Sequence, residues 1–159
     1  MPDKRSAGLL LYRRTADGGT EVLIGHMGGP LWAGRSTAAW SIPKGEYGPE
    51  EPPEAAARRE FEEELGLPPP DGEPLPLGEV RQANGKTVTV WAVEADLDPE
   101  RIVPGTFTME WPPHSGVVRE FPELDRVGWF SFEAAAPLLV AGQQAFLERL
   151  AAQLGGPEA

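Results

Sequence analysis

Apolar and polar positions divide the chain into short β-like runs and two helical stretches. AGLLLYRR (7–14) is apolar, ADGG (16–19) is turn-forming, and TEVLIGHM (20–27) is a second apolar run, so the three predict a hairpin. GGPLWAGRSTAA (28–39) reads as loop and WSIP (40–43) as a short strand. A Pro-rich break over 68–76 leads into LGEVRQ (77–82), ANG (83–85) turns the chain, and KTVTVWAVEA (86–95) follows as a strand. In that strand Thr87, Thr89 and Trp91 fall on one face and Val88, Val90 and Ala92 on the other. Residues 96–116 read as one long loop, VVREF (117–121) and RVGWFSF (126–132) as strands, and EAAAPLLV (133–140) as the start of helical structure. In GQQAFLERLAAQLGG (142–156), Phe146, Leu147, Leu150 and Leu154 share one face of an amphipathic helix. The core is the first use for that face; the interface of a homodimer is the second.

The remaining helix lies near the middle of the chain. Pro52 or Pro53 suits its first turn, where a missing N–H does no harm. Glu54 favours the positive end of the helix dipole, and Ala55, Ala56 and Ala57 are strong helix formers. Gly66 fits the left-handed position after the last turn and Pro68 forbids continuation, which predicts a helix over 53–65. At about 100° per residue, Ala57, Phe61 and Leu65 form the buried stripe. Glu60, Glu63 and Glu64 share another arc, Glu62 points elsewhere, and Ala56 lies one turn below Glu60, where its small side chain is expected to leave room for a ligand. Strands on both sides of a central helix, with a helix at the end, suggest a mixed sheet covered by helices.

Composition narrows the possibilities. With 159 residues, 40% of them hydrophobic and 25% charged, one globular domain over 1–159 is expected. The net charge of −11 argues against a general nucleic-acid surface and against an anionic membrane. No apolar run approaches the roughly 20 residues that cross a bilayer. The first apolar run is too short, and too soon followed by Arg13 and Arg14, for a signal peptide. With no cysteine in the chain, a cytoplasmic protein is expected.

The acidity is concentrated. Residues 45–67, GEYGPEEPPEAAARREFEEELGL, hold eight glutamates and two arginines. Like charges at i, i+4 cost a few tenths of a kcal/mol in water and more when desolvated. A solvated acidic face is one explanation; a hard divalent cation that removes the cost is the other, since Mg²⁺ takes oxygen ligands from one or two carboxylates plus substrate phosphates. Arg59 can pair with Glu63 at i, i+4 or fold back to Glu51. His26 and His114 are lone histidines without a partner at metal spacing.

The spacing of these residues resembles a known motif. Gly45, five residues, Glu51, seven residues, then Arg59-Glu60-Phe61, Glu63-Glu64 and Gly66-Leu67 match all nine specified positions of the Nudix box. WSIPKG (40–45) is similar to the lead-in strand of many Nudix hydrolases, and ELDRVGWFSFEAA (123–135) to a late strand of that family. The resemblance implies an α/β fold, an α/β/α sandwich with a mixed β-sheet between helices. It implies Mg²⁺- or Mn²⁺-dependent hydrolysis of a nucleoside diphosphate linked to another group. Glu60 and Glu64 would be metal ligands, Glu63 a ligand or its neighbour, and the Gly45 carbonyl a further ligand. Glu51 and Arg59 would be an orienting pair. The general base would be Glu63 or Glu64, or a residue before the late strand, Glu123 or Glu120.

Other residues can meet the substrate. Lys44 suits a phosphate as a compact point charge, with Arg35, Arg81 and Lys86 as further candidates. Trp32, Trp40 and Trp111 can stack on a base, and Trp111 lies in the stiff EWPPHSG loop. The expected partner is a small nucleotide: a nucleoside or dinucleoside polyphosphate first, a nucleoside diphosphate sugar second, with no large nucleic-acid surface. An isomerase of isopentenyl diphosphate, which shares the fold, needs a cysteine that this chain lacks. A non-catalytic nucleotide-binding domain would usually have lost box carboxylates, and here all are present.

Overall fold

A computed structural model of the chain describes residues 4–82 and 85–155. The strands are β1 (Arg5–Arg14), β2 (Thr20–Met27), β3 (Trp40–Ser41), β4 (Lys44–Glu46), β5 (Leu75–Arg81), β6 (Thr87–Glu94), β7 (Thr106–Glu110), β8 (Val118–Pro122) and β9 (Leu124–Ser131). The helices are α1 (Pro53–Leu65), between β4 and β5, then α2 (Phe132–Leu138) and α3 (Gln144–Gln153) after β9. No helix among the described residues is long and apolar enough to cross a membrane.

β1 is the spine of a mixed sheet. One edge pairs parallel with β6, from Arg5 opposite Thr87 to Tyr12 opposite Glu94, and β5 adds antiparallel beyond it. The other edge is shared: Ser6 to Gly8 pair with β4, and Tyr12 to Arg14 pair with β2. β1 and β2 therefore diverge, and residues 40–46 fill the fork. There the Leu9 amide donates to the Pro43 carbonyl at 3.2 Å. Gly8 permits this approach, because a Cβ at that position would lie 2.8 Å from the Pro43 oxygen and 2.9 Å from the Lys44 Cβ. β9 runs antiparallel along β2, from Glu21 opposite Ser131 to Met27 opposite Leu124.

The period of two along β1 splits the core between two faces. Leu9 and Leu11 pack with Leu23, Val93, Phe61 and Leu65 under α1. Leu10 and Tyr12 pack with Val22, Ile24, Val88, Val90, Phe146 and Leu150 under α2 and α3. The α/β/α sandwich expected from the sequence is the observed one. Phe61 and Phe146 are fully buried, one on each face, and burial of such a side chain contributes about 1.5–3 kcal/mol. Val88, Val90 and Ala92 of β6 go to the α3 face as their alternation predicts, while Trp91 and Val93 pack toward α1.

α1 has the predicted bounds. Pro53 opens it, and Gly66 closes it at φ 70°, donating its amide to the Glu62 carbonyl. In α3, Phe146, Leu147 and Leu150 are buried and Leu154 packs on the same cluster, so that face is core and is not available to a partner. Gly156, at the end of the predicted helix, and Ala83 and Asn84, in the predicted turn, lie outside the described residues.

Two expectations need correction. Residues 96–116 are not one loop: Pro99–Arg101 form a 3₁₀ turn and Thr106–Glu110 form β7, paired antiparallel with β8 from Thr106 opposite Pro122 to Glu110 opposite Val118. The alternation in TFTME is only five residues long and is enclosed by Pro104-Gly105 and Pro112-Pro113; its partner strand makes it β. Ala56 leaves no room for a ligand. It is fully buried with Ala7 and Ala57, because α1 lies close enough to β1 that only methyl-sized groups fit between them.

Candidate active site

The site forms where α1 meets the fork between β1 and β2. The Lys44 amide donates to Glu64 Oε1 at 3.1 Å, which ties the end of α1 to β4. Glu60 lies against the next residue, Gly45: a Cβ there would come within 1.9 Å of Glu60 Oε1. A glycine is therefore required for the carboxylate to reach the strand backbone.

Arg59 organises the rest of the acidic face. Its Nε and Nη2 donate to the two oxygens of Glu51 at 2.8 and 2.9 Å. Its Nη1 donates to Glu60 at 2.7 Å and to Glu63 at 3.1 Å. One guanidinium thus answers three carboxylates, where pairing with Glu51 or Glu63 alone was expected. Glu62 is exposed, as its angle on the helix predicts.

Glu123 reaches the site through a backbone relay. The amides of Val103 and Gly105 donate to the carbonyls of Leu65 and Glu64 at the end of α1. The Gly105 carbonyl accepts from the Glu123 amide at 2.7 Å, and the Glu123 carbonyl accepts from the Gly28 amide at 2.9 Å. Gly105 must be a glycine here, because a Cβ would lie 2.4 Å from the Glu63 carbonyl oxygen. The chain between α1 and β9 is thereby pressed against the end of the helix, and Glu123 is delivered beside Glu64.

A cavity of about 160 Å³ results, lined by Met27, Gly28, Trp32, Ser41, Lys44, Glu64, Phe107, Glu123 and Leu124. Burial pushes the Glu64 carboxyl up to about 8, against the pull of the Lys44 amide and ammonium; Glu123 and Glu60 add to the rise. Burial also raises the Glu60 carboxyl, opposed by Arg59. The Lys44 ammonium is lowered, first by burial and against the attraction of Glu64. Glu51 is held below the usual carboxylate range by Arg59. Among the described residues no three His, Cys, Asp or Glu side chains converge closely enough to grip a metal ion. Glu60 and Glu63 face Arg59, and Glu64 faces the Lys44 amide.

The structure brings Glu64, Glu123 and Lys44 to one cavity and joins Glu51, Arg59, Glu60 and Glu63 in one network beside it. It does not bring Trp111 or Arg35 to the cavity wall. Trp111 lies at the turn of the β7–β8 hairpin, its amide bonded to the Val117 carbonyl. The Arg35 guanidinium sits 5.1 Å from the ring of Trp32, so it touches a wall residue and not the cavity. Glu120 accepts from Thr106 and Glu110 from the amides of His114 and Gly116, both within the hairpin. Trp40 is core. His26 is buried between Asp125 and the Arg35 carbonyl.

Phe107 and Met27 are wall residues outside the expected set. Phe107 was hidden with β7 inside the supposed loop. Its ring packs on Gly29, whose φ of 95° and missing Cβ leave space for it, so the Gly-Gly pair at 28–29 was the available signal.

Comparison with known proteins agrees with this geometry. A family model described as the NUDIX domain matches residues 2–150. Among solved structures, the Ap4A hydrolase of C. elegans, crystallised as a binary complex, aligns at 24% identity and TM-score 0.61, covering 95% of this chain and 97% of that one. The Nudix hydrolase RenU from M. smegmatis aligns at 25% identity and TM-score 0.61, over 94% and 84% of the two chains. The NUDIX domain of Shewanella oneidensis NrtR, complexed with ADP ribose, aligns at 15% identity and TM-score 0.63, over 97% and 90%. No curated protein matched. With the box helix on one face of the sheet, its carboxylates at the fork, and the family model matched over nearly the whole chain, the protein belongs to the Nudix family of hydrolases acting on phosphorus-containing anhydrides.

Proposed function

We propose that this single domain is a Mg²⁺- or Mn²⁺-dependent pyrophosphohydrolase that cleaves a phosphoanhydride bond of a nucleoside or dinucleoside polyphosphate. The observation that carries the reading is the meeting of Glu64, Glu123 and Lys44 in one cavity beside the Glu51–Arg59–Glu60–Glu63 network. A solved neighbour named as an Ap4A hydrolase supports a dinucleoside polyphosphate. The neighbour complexed with ADP ribose supports the second reading, a nucleoside diphosphate sugar.

The donor atoms, carboxylate and carbonyl oxygens, are of the type a hard cation takes, and two carboxylates with substrate phosphates meet its needs without a third converging acid. Glu60 and Glu64 would hold it, with Glu63 and the Gly45 carbonyl beside them, and the cradle at Gly45 places Glu60 against the backbone that carries that carbonyl. When bound, a divalent cation offsets the carboxylate charge, polarises phosphate oxygens and makes nearby water more acidic. Lys44 neutralises a phosphate oxygen at the cavity wall. Arg59, fixed by Glu51, holds Glu60 and Glu63 in place and limits their mutual repulsion. Glu123 is exposed at the cavity and its side chain makes no hydrogen bond or ion pair among the described residues, which supports it over Glu63 and Glu64 as the group that takes a proton from the attacking water. Trp32 and Phe107 supply an apolar wall for the base.

The test is a panel of nucleoside polyphosphates, dinucleoside polyphosphates and sugar nucleotides with Mg²⁺ or Mn²⁺, products identified. Turnover of a polyphosphate, lost on chelation of the metal, is expected. Binding of a nucleotide with no product from any compound would leave a nucleotide-binding domain in its place.

A further inference from the structure

His26 is a buried titratable side chain that the proposed chemistry does not use. It continues the stripe of Val22 and Ile24 on the face of β2 under α2, away from the carboxylates of α1. Both of its ring nitrogens point at oxygens that accept. Nδ1 lies 3.0 and 3.1 Å from the two carboxylate oxygens of Asp125, and Nε2 lies 2.6 Å from the Arg35 carbonyl. A neutral imidazole has one N–H, so it satisfies one of these partners and turns a lone pair on the other. The imidazolium satisfies both, and the Asp125 carboxylate beside it balances the charge.

The bond to Arg35 matters because so little else holds that segment. From Leu31 to Ala38 every residue but Trp32 is exposed. The amides of Trp32 and Arg35 donate to the carbonyls of Gly29 and Trp32, within the segment itself. Among the described residues, the contact of His26 with Arg35 is the one hydrogen bond between residues 29–37 and the rest of the chain. The same segment carries Trp32 into the cavity wall, and the Arg35 guanidinium lies over its ring. At the other nitrogen, Asp125 stands two residues beyond Glu123, which lines the same cavity.

The charged groups around the ring come from few elements. β9 brings Asp125 and Arg126, paired with each other at 3.3 Å. Arg126 lies over Trp40, the β3 residue that meets the His26 ring edge-on at 5.4 Å. The segment brings Arg35. α2 has one charged residue, Glu133, and it lies near Glu21 at the far end of β2.

We propose that His26 is a positioning residue for the nucleotide: in its doubly protonated form it joins the Arg35 carbonyl to Asp125 and thereby holds Trp32 in the cavity wall. Loss of one proton keeps the bond to the charged acceptor, Asp125, and releases the Arg35 carbonyl, so the segment loosens and Trp32 is no longer fixed. The effect on affinity rests on the nucleotide reading above; the tie itself does not.

NMR of the metal-free protein, whose two histidines are readily told apart, and calorimetry with ADP and Mg²⁺ test the two parts separately. At the acid end of the His26 titration both ring nitrogens are expected to carry protons. The amides of Trp32 and Arg35 are expected to lose hydrogen-exchange protection as that titration proceeds. ADP is expected to bind the wild type about tenfold more tightly than His26→Gln at the acid end, with the ratio falling towards one across the same titration. The ratio isolates His26, because titration of Lys44, Glu64 and Glu123 is common to both proteins. A lone pair on either nitrogen at the acid end, or an affinity ratio that does not follow the His26 titration, overturns the proposal. Should His26→Gln fail to fold, the wild type decides alone: unchanged protection of Trp32 and Arg35 through the titration overturns it. Loss of that protection with no ADP bound by the wild type keeps the tie and removes the nucleotide reading.

Discussion

α1 and α3 cover opposite faces of one sheet, and they differ in how much of their sequence the fold explains. In α3 the stripe of Phe146, Leu147 and Leu150 is buried, and packing accounts for it. In α1 the stripe of Ala57, Phe61 and Leu65 does the same work, but Glu60, Glu63 and Glu64 on the neighbouring arc do not help the fold. Glu64 is desolvated with an amide and a lysine for company, and Glu60 and Glu63 share a single arginine. A helix that only needed to cover the sheet would lose nothing by having glutamine there. The difference separates what holds the protein together from what it is for.

Perturbations of the two helices should therefore differ in kind. Phe146→Ala should cost the most stability, about 3–5 kcal/mol, because it empties a fully buried site on the α3 face. Thermal unfolding would show it, and a loss under 1 kcal/mol would mean that the two faces are not equivalent cores. Glu64→Gln should move in the opposite direction. It removes a desolvated charge, so the metal-free protein should become more stable at pH 8, while turnover falls by about 10³-fold or more. The pH dependence fixes the sign. Between its ordinary value and about 8 the folded protein keeps a proton on Glu64 that the unfolded chain has released. Stability of the metal-free wild type should thus fall as pH rises from about 5 to about 8, and Glu64→Gln should flatten that fall. Arg59→Met should lower stability by about 1 kcal/mol, given its half-exposed network, and part of the loss should return with added Mg²⁺. Glu62→Gln, one residue from the network and exposed, should stay within about 0.5 kcal/mol with turnover intact. A large effect there would erase the distinction between the functional arc and plain surface.

The comparison also explains what could be read in advance. The bounds of α1 were legible because Pro53 and Gly66 act through local backbone geometry, and the face of α3 because its period is set by its own residues. The two faces of β6 were legible for the same reason. β7 was not, since five alternating residues become a strand only when Val118–Pro122 lie opposite them. The exclusion of Ala56 from the site depends on how closely α1 approaches Ala7, a distance no local pattern encodes. The acids of the helix could be found from spacing alone. Glu123 could be named but not placed, because its position rests on bonds that link Leu65 to Val103, Gly105 to Glu123 and Glu123 to Gly28. The cavity wall was the least legible part: the stiff loop favours Trp111, yet Trp32 lines the cavity, and Phe107 lies in a stretch that reads as loop.

On the proposed function, the acidic arc of α1 holds a divalent cation that the fold itself does not need. Titration of Mn²⁺ into metal-free wild type and Glu64→Gln at pH 8, followed by calorimetry, tests it directly. Saturable binding by the wild type, weakened at least about tenfold in the variant, is the predicted result. Equal affinity in both proteins, or no binding by the wild type, would contradict it.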